Sequence, residues 1–443
     1  MPPTIAVAHY PEGAGHATRM LAIANAIENS GGSVRMAGGG AGTEFVALNG
    51  YDEFEPTTVD YVDTYQAGSM WQAARRSLPA SLGRIADYQA WLSATDPDAL
   101  VTDDMFAAMA ASRSDIPLYV LKHDMPGLYD DPIERAGARF HTRFQLSAAR
   151  EFFYPVVWPE SSVDPANATR IPPVALDGTS TVEDGPDVVV VPSHYSSLSH
   201  VADHLRRQGY DVLDVADDDW DPVPSLLPYI READAVVCSG YSTIMDAAVA
   251  GTPCIIQPET DEQDAVAEWI ERFDVTGFTV ADQPIDVLDA VADPPDVPTF
   301  DNGAEFIAET VLNDLQNPDP YAESTEAADT AGDEVTKASR VESLLAVPTL
   351  AAAFAATATM SVAPSRLHRR LGEEATRFVG LCRAGGGRIR RASGTAGHRS
   401  KQAVLTAAKA VADGTRATGE RTRHGMARAA EAVSTKGSRF VGR

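Results

Sequence analysis

Short, continuous apolar runs alternate with helix-length amphipathic segments twice along this chain, and that alternation leaves few folds open to it. The runs TIAVA (4–8), SVRMAG (33–38), DALVTDD (98–104) and PLYVLKHD (117–124) are separated by helical periodicity over 16–29, two amphipathic segments and a helix over 105–113. A second series follows: PDVVVVPSH (186–194), a helix over 196–207, DVLDVAD (211–217), ADAVVCSG (233–240), a helix over 242–250, PCIIQP (253–258), a helix over 262–272 and GFTVAD (277–282). Apolar runs of this length, each followed by a helix, predict an α/β architecture with parallel sheets buried on both faces. The 443 residues exceed what one core holds, since single cores rarely grow beyond ~250–300 residues. The proline-rich passage from Tyr154 to Asp177 reads as the crossing between two doubly wound domains, and FDNGAEFIAETVLNDL (300–315) reads as a helix closing the second.

The first loop sharpens this. In EGAGHAT (12–18) two glycines and a histidine stand where the first strand gives way to a helix that breaks at Ser30-Gly31-Gly32. Glycines there let a ligand approach the backbone, and the helix N-terminus offers free N–H groups to an anion. The dinucleotide fingerprint is not met: the third glycine is missing, and SVRMAG ends without the acid that would hold a cofactor ribose.

Charge is divided. Residues 1–365 carry 18 basic and 58 acidic side chains, whereas 366–443 carry 18 and 5. Lys122 and Lys337 are the only lysines of the body, a pattern expected of a salt-adapted protein whose charge serves solvation, and it disfavours nucleic acid as a partner. In this acidic background TDDM (102–105) and ADDDW (216–220) read as surface, as do His194, His200 and His204. Cys238, Cys254 and Cys382 have no metal or disulfide spacing, GxSxG is absent, and Met1-Pro2-Pro3 leads directly into a strand without a signal-peptide pattern. The expected compartment is the cytoplasm. Residues 317–342 are acidic and poor in large apolar side chains, a disordered linker by composition. Ser343 to Ala363 is an uncharged stretch of 21 residues followed by an Arg-rich tail, which reads better as a helix lying on an anionic membrane face than as a span; a plain Ala/Arg-rich tail is the alternative.

ADAVVCSGYSTIMDAAVAGTPCIIQPETDEQ, with Gly240, Asp246, Gly251, Pro253 and Pro258 in fixed spacing, resembles the donor-binding half of GT-B glycosyltransferases. The branch it most resembles holds the family 28 enzymes, with the lipid-linked N-acetylglucosamine transferase and the diacylglycerol glycosyltransferases. GAGHATRMLAIANAI resembles the GxGH loop of the acceptor half, and the segment from Pro97 to Gly127 its strand–helix–strand ending in a His-acid pair, here His123-Asp124. The resemblance covers about residues 1–315. It implies two Rossmann-like domains facing across a cleft: 1–160 on the acceptor side, a linker over 161–184, and a nucleotide-sugar domain over 185–316. It implies Gly240, Ser242 and Thr243 at the donor diphosphate, Asp246 at the ribose, and Glu262 and Gln263 at the sugar. Gly13 and Gly15 form the facing loop, His16 is the base or acceptor-positioning residue, and His123 and Asp124 bind substrate. The activity implied is metal-independent, inverting transfer of a hexose-type sugar, from UDP before other donors, to an acceptor that the branch makes lipid- or polyprenyl-linked, with no cofactor. Val266 stands where the family has Asn, and PSHYSSLSH lacks the Gly-Gly-Ser turn, with Ser193, Ser196 and Ser197 in its place. Two alternatives stay open: a nucleotide-sugar 2-epimerase on the same fold, and a non-catalytic nucleotide-sugar or lipid-binding scaffold.

Overall fold

The computed structural model describes residues 2–317 apart from 60–69, 124, 129–131, 162–163, 179, 181, 183–184, 194–197 and 282. Asp124, Ser196, Ser197 and everything from 318 onward, including the apolar stretch and the basic tail, therefore lie outside the described residues. Among the described residues no helix is long and apolar enough to cross a membrane.

The first half is β1 (Thr4–Ala8), α1 (Ala14–Asn29), β2 (Ser33–Ala37), α2 (Thr43–Leu48), β3 (Glu53–Phe54), α3 (Met70–Thr95), β4 (Ala99–Thr102), α4 (Met105–Ala111), β5 (Leu118–Leu121), α5 (Pro132–Ala148), β6 (Glu151–Pro155) and β7 (Thr169–Ile171). Its strands form one parallel sheet in the order β3-β2-β1-β4-β5-β6-β7, with Ile5, Ala6, Val7 and Ala8 fully buried at the centre. The second half is β8 (Val188–Val191), α6 (Ser199–Gln208), β9 (Val212–Asp214), α7 (Leu227–Glu232), β10 (Ala235–Cys238), α8 (Tyr241–Ala250), β11 (Cys254–Ile256), α9 (Asp261–Arg272), β12 (Phe278–Val280) and α10 (Pro284–Ala292), in a parallel sheet ordered β12-β11-β10-β8-β9. Both are doubly wound, Rossmann-like sheets. In each the strand order reverses once, between β1 and β4 in the first and between β8 and β10 in the second, and ligand crevices of such sheets open at the carboxyl ends there.

Two sequence expectations need correction. Two short parts of the proline-rich passage belong to the sheet: β6 reaches Pro155 and β7 covers Thr169–Ile171, and the two pair in parallel, Tyr154 opposite Arg170, and extend the first sheet by two strands. Runs of three to five residues ending at proline carry too little periodicity to be told from a linker. The closing helix, α11 (Gly303–Gln316), does not cap the second domain. It packs on α1, and its Ile307, Ala308, Val311 and Leu312 complete the core made by Met20, Ile23 and Ile27. Asn302 anchors the return, since its side chain caps α11 through Ala304 N–H and donates to Ala175 O at 2.7 Å, while Tyr119 Oη and Arg150 Nε both reach Asp314, each at 3.0 Å.

A buried ionic cluster pins the carboxyl edge of the first sheet. Arg84 and Asp104 are fully buried; Arg84 donates twice to Asp104 Oδ2, at 2.9 and 2.7 Å, and also to Gly38 O, while Tyr88 Oη donates to the same carboxylate at 2.8 Å. The other carboxylate oxygen caps α4 through Phe106 N–H at 2.7 Å. A second buried pair lies beside it. His9 has Nδ1 3.1 Å from Tyr10 O and Nε2 2.9 Å from Glu53 Oε2, and since both partners accept, both ring nitrogens donate and the ring is an imidazolium. Burial works against that charge, but the Glu53 hydrogen bond and charge outweigh it, so the His9 pKa rises while that of Glu53 falls. Gly38 lies flat on this ring; a Cβ there would sit 2.2 Å from Nε2.

A raised histidine pKa stabilises the fold below the unfolded value near 6.5, and that contribution is lost as pH rises through the folded value. Chemical denaturation of wild type between pH 6 and 9 is expected to show stability falling with pH, and His9→Asn is expected to be less stable at pH 6 and to flatten the slope. An unchanged slope in the variant would remove His9 as its source.

Candidate active site

The crevices of the two sheets face each other and share a cavity of about 520 Å³. Its first wall is the EGAGHAT loop. Gly13 takes φ +78°, a conformation that suits glycine, and turns the chain into α1 with no side-chain cap and no acid in the first turn. The helix thus starts at Ala14, two residues before the sequence expectation, and its first N–H groups remain open to a ligand. His16 sits in that first turn. Its Nδ1 lies 2.7 Å from Asp103 Oδ2, and as a carboxylate only accepts, Nδ1 carries the proton of that bond on a ring that lines the cavity. Burial alone would raise the Asp103 carboxyl; the charge and hydrogen bond of His16, with Arg19 and a 2.9 Å bond from Tyr10 N–H, overcome it and bring Asp103 down to about 2.

Asp103 is not surface, and neither is Asp104: the pair follows β4, Asp104 as the N-cap of α4 within the buried cluster and Asp103 against His16. Two adjacent acids at the carboxyl end of a strand at the sheet's switch point were the available signal, hidden by the acid-rich composition. In ADDDW the expectation divides, with Asp218 and Asp219 exposed while Trp220 lines the cavity.

The opposite wall is the start of α8. Gly240 is its N-cap, in extended conformation and without a side-chain cap, and Gly240, Ser242, Thr243 and Asp246 all line the cavity. Burial pushes the Asp246 carboxyl up to about 7, against the pull of the Arg19 charge across the cleft. The two walls touch: Ser242 Oγ donates to Gly15 O at 3.4 Å, and a Cβ on Gly15 would lie 2.8 Å from that of Ser242. His123 stacks on Tyr241, ring centroids 4.4 Å apart and planes 15° from parallel, with its own ring 6.2 Å from that of His16. Tyr241 Oη donates to Pro155 O at 2.7 Å, back into the first domain.

Gln263, which the resemblance puts at the donor sugar, lines the cavity. Its Nε2 donates to Ser193 Oγ at 2.9 Å and its Oε1 accepts from Glu259 N–H at 2.8 Å, so its amide holds two loops of the second domain together. Ser193 N–H in turn donates to Ser239 Oγ. Glu262 lies in the first turn of α9, its side chain outside the description, and Val266 is buried against the cavity. The remaining wall was not foreseen. Trp220, Pro222, Val223, Pro224 and Leu226 form an apolar side, and Phe45 of α2 faces it from the first domain, where Asn49 Nδ2 donates to Pro224 O at 2.9 Å.

No protein-family model matches this sequence, and no curated protein matches it. Among solved structures, similarity is found to the glycosyltransferase SsfS6 of Streptomyces sp. SF2575 (14% identity, 71% of this chain and 96% of that one, TM-score 0.49). It is also found to the spinosyn rhamnosyltransferase SpnG (15%, 71% and 96%, 0.47) and to the glycosyltransferase SnogD of Streptomyces nogalater (16%, 71% and 96%, 0.46).

Because Gly15 and Ser242 leave no room for a Cβ, Gly15→Ala is expected to cost ~1–3 kcal/mol through overpacking. Gly15→Ala/Ser242→Gly is expected to recover most of it in urea denaturation. Equal loss in the single and double variants would show that the strain lies elsewhere.

Proposed function

We propose that the protein is a glycosyltransferase that moves a sugar from a nucleoside diphosphate to an acceptor hydroxyl with inversion. The observation that carries this reading is the His16–Asp103 pair aimed into a cleft whose far wall is the uncapped start of α8. A base on one wall and an anion-binding helix end on the other are what direct displacement of a diphosphate needs.

In this reading the acceptor hydroxyl gives its proton to His16 Nε2 as its oxygen attacks the anomeric carbon. The bond from that carbon to the phosphate oxygen breaks on the opposite face, and the electron pair leaves with the diphosphate. Asp103, held ionised, stabilises the imidazolium that forms. The N–H groups of Tyr241, Ser242 and Thr243 and the dipole of α8 receive the leaving charge. Asp246, one turn further on, accepts the ribose hydroxyls, and the apolar side formed by Trp220, Val223 and Pro224 takes the base. The resemblance of the 233–263 segment extends the proposal to UDP as donor, and to a lipid- or polyprenyl-linked acceptor reached with the help of the 343–443 segment at a membrane surface.

The test uses the full chain with UDP-, GDP- and dTDP-sugars. A donor at 100 times its Kd is expected to add ~2.7 kcal/mol of stability, read as a rise in Tm. His16→Ala is expected to keep that rise and lose turnover, whereas Asp246→Asn is expected to shrink it. With the Asp246 carboxyl near 7, ionisation between pH 6 and 8 improves its acceptance of hydroxyls, so donor affinity is expected to rise several-fold over that range in wild type and to stay flat in the Asn variant. No Tm shift with any donor, in folded protein, would refute the reading.

A further inference from the structure

Arg19 follows His16 by one helical turn and lines the cavity with only 4% of its surface exposed. A buried guanidinium is costly unless its N–H groups are paired, and this one is poorly paired. Its Nε has no hydrogen-bond partner among the described residues. The nearest carboxylate oxygen, Asp103 Oδ2, is 3.5 Å from Nη2 and already accepts from His16, while the other oxygen of Asp103 accepts from Tyr10 N–H. Nη2 also lies 3.2 Å from His16 Nδ1, but that nitrogen carries the proton it gives to Asp103 and has no lone pair to offer. Asp246, the other acid near enough to feel the Arg19 charge, stands on the opposite wall. The result is a fixed cation with unfilled donors, set beside two uncapped helix starts, at Gly13 in α1 and Gly240 in α8, which approach each other at Gly15 and Ser242.

We propose that Arg19 binds the diphosphate of the nucleotide donor, as the first domain's contribution to holding the leaving group. The inference rests on the glycosyl-transfer reading above and adds to it a contact that neither the glycine loop nor the α8 motif supplies. A diphosphate presents several acceptor oxygens in the forked geometry a guanidinium fits, and its charge would complete the pairing that the protein leaves open. Because the side chain comes from the first domain and the helix start from the second, a bound diphosphate would join both walls. Charge that accumulates on the phosphate as the glycosidic bond breaks would then fall beside the same side chain that faces Asp103.

The experiment is calorimetric titration of the full chain with UDP and dTDP, with uridine and thymidine as probes that lack phosphate, and with inorganic pyrophosphate. Arg19→Met is expected to weaken UDP or dTDP and pyrophosphate binding ten- to a hundredfold while nucleoside binding stays within about twofold. Arg19→Lys, which keeps the charge and loses the fork, is expected to fall between, and it serves as the test if the Met variant does not fold. Equal diphosphate affinity in wild type and variants overturns the inference and leaves the glycosyl-transfer reading standing. A matching loss of nucleoside affinity overturns it in favour of a packing role. Wild type that binds none of the probes defeats both readings together.

Discussion

The salt bridge between Arg84 and Asp104 is the interaction on which the first domain's working edge depends. It joins α3 to the end of β4, reaches the loop after β2 through Gly38 O, and leaves the second oxygen of Asp104 to start α4. A fully buried ion pair is a poor source of stability by itself, since desolvation offsets most of its attraction, but breaking one partner leaves an uncompensated charge. Its value here is positional. With Asp104 held in the cluster, its neighbour Asp103 is fixed in place, and the hydrogen bonds from His16 and Tyr10 have a fixed target. The His9–Glu53 pair under the glycine loop does the same for the neighbouring turn, because Gly38 and Gly42 have no side chains to hold them and lie against the His9 ring instead.

The cleft is defined by contact as much as by space. Gly15 against Ser242, Asn49 against Pro224, and Tyr241 against Pro155 are three places where the walls meet through one hydrogen bond each. Each is small, ~0.5–1.5 kcal/mol by general measure, and each can be remade with a substrate or with water. The walls also meet through packed side chains, since Trp158 of the first domain lies 5.4 Å from Trp269 and 6.1 Å from Tyr241, and His123 stacks on Tyr241.

Much of this was legible in the sequence, for definite reasons. Parallel strands buried on both faces must be continuous apolar runs, so TIAVA, VVVV and AVVC announced the centres of both sheets. The glycine turn announced the entry to α1, and the spacing from Gly240 to Asp246 announced a helix whose first turn faces the ligand edge. What stayed hidden depends on partners far along the chain. Asp103 and Asp104 were two acids among many until the fold brought His16 and Arg84 to them. Arg19 occupies what reads as an ordinary polar helix position, and its burial beside Asp103 shows only in the folded chain. Gln263 carries the expected residue type, and its hydrogen bonds with Ser193 and Glu259 N–H appear only in the fold. The helix over 303–316 was visible as a helix, but periodicity says which face is apolar and nothing of which domain will cover it.

The return of α11 to α1 has a consequence for how the chain comes to be folded. The second domain is in effect an insertion within the first: residues 188–292 must be made before Ile307, Val311 and Leu312 exist to cover Met20, Ile23 and Ile27. During vectorial synthesis the first domain to emerge is therefore the last to be finished. Until α11 arrives, the apolar back of α1 stands open to the surrounding water, or to a chaperone. The helix that carries His16 and Arg19 at one end waits at the ribosome for its own far-off covering segment.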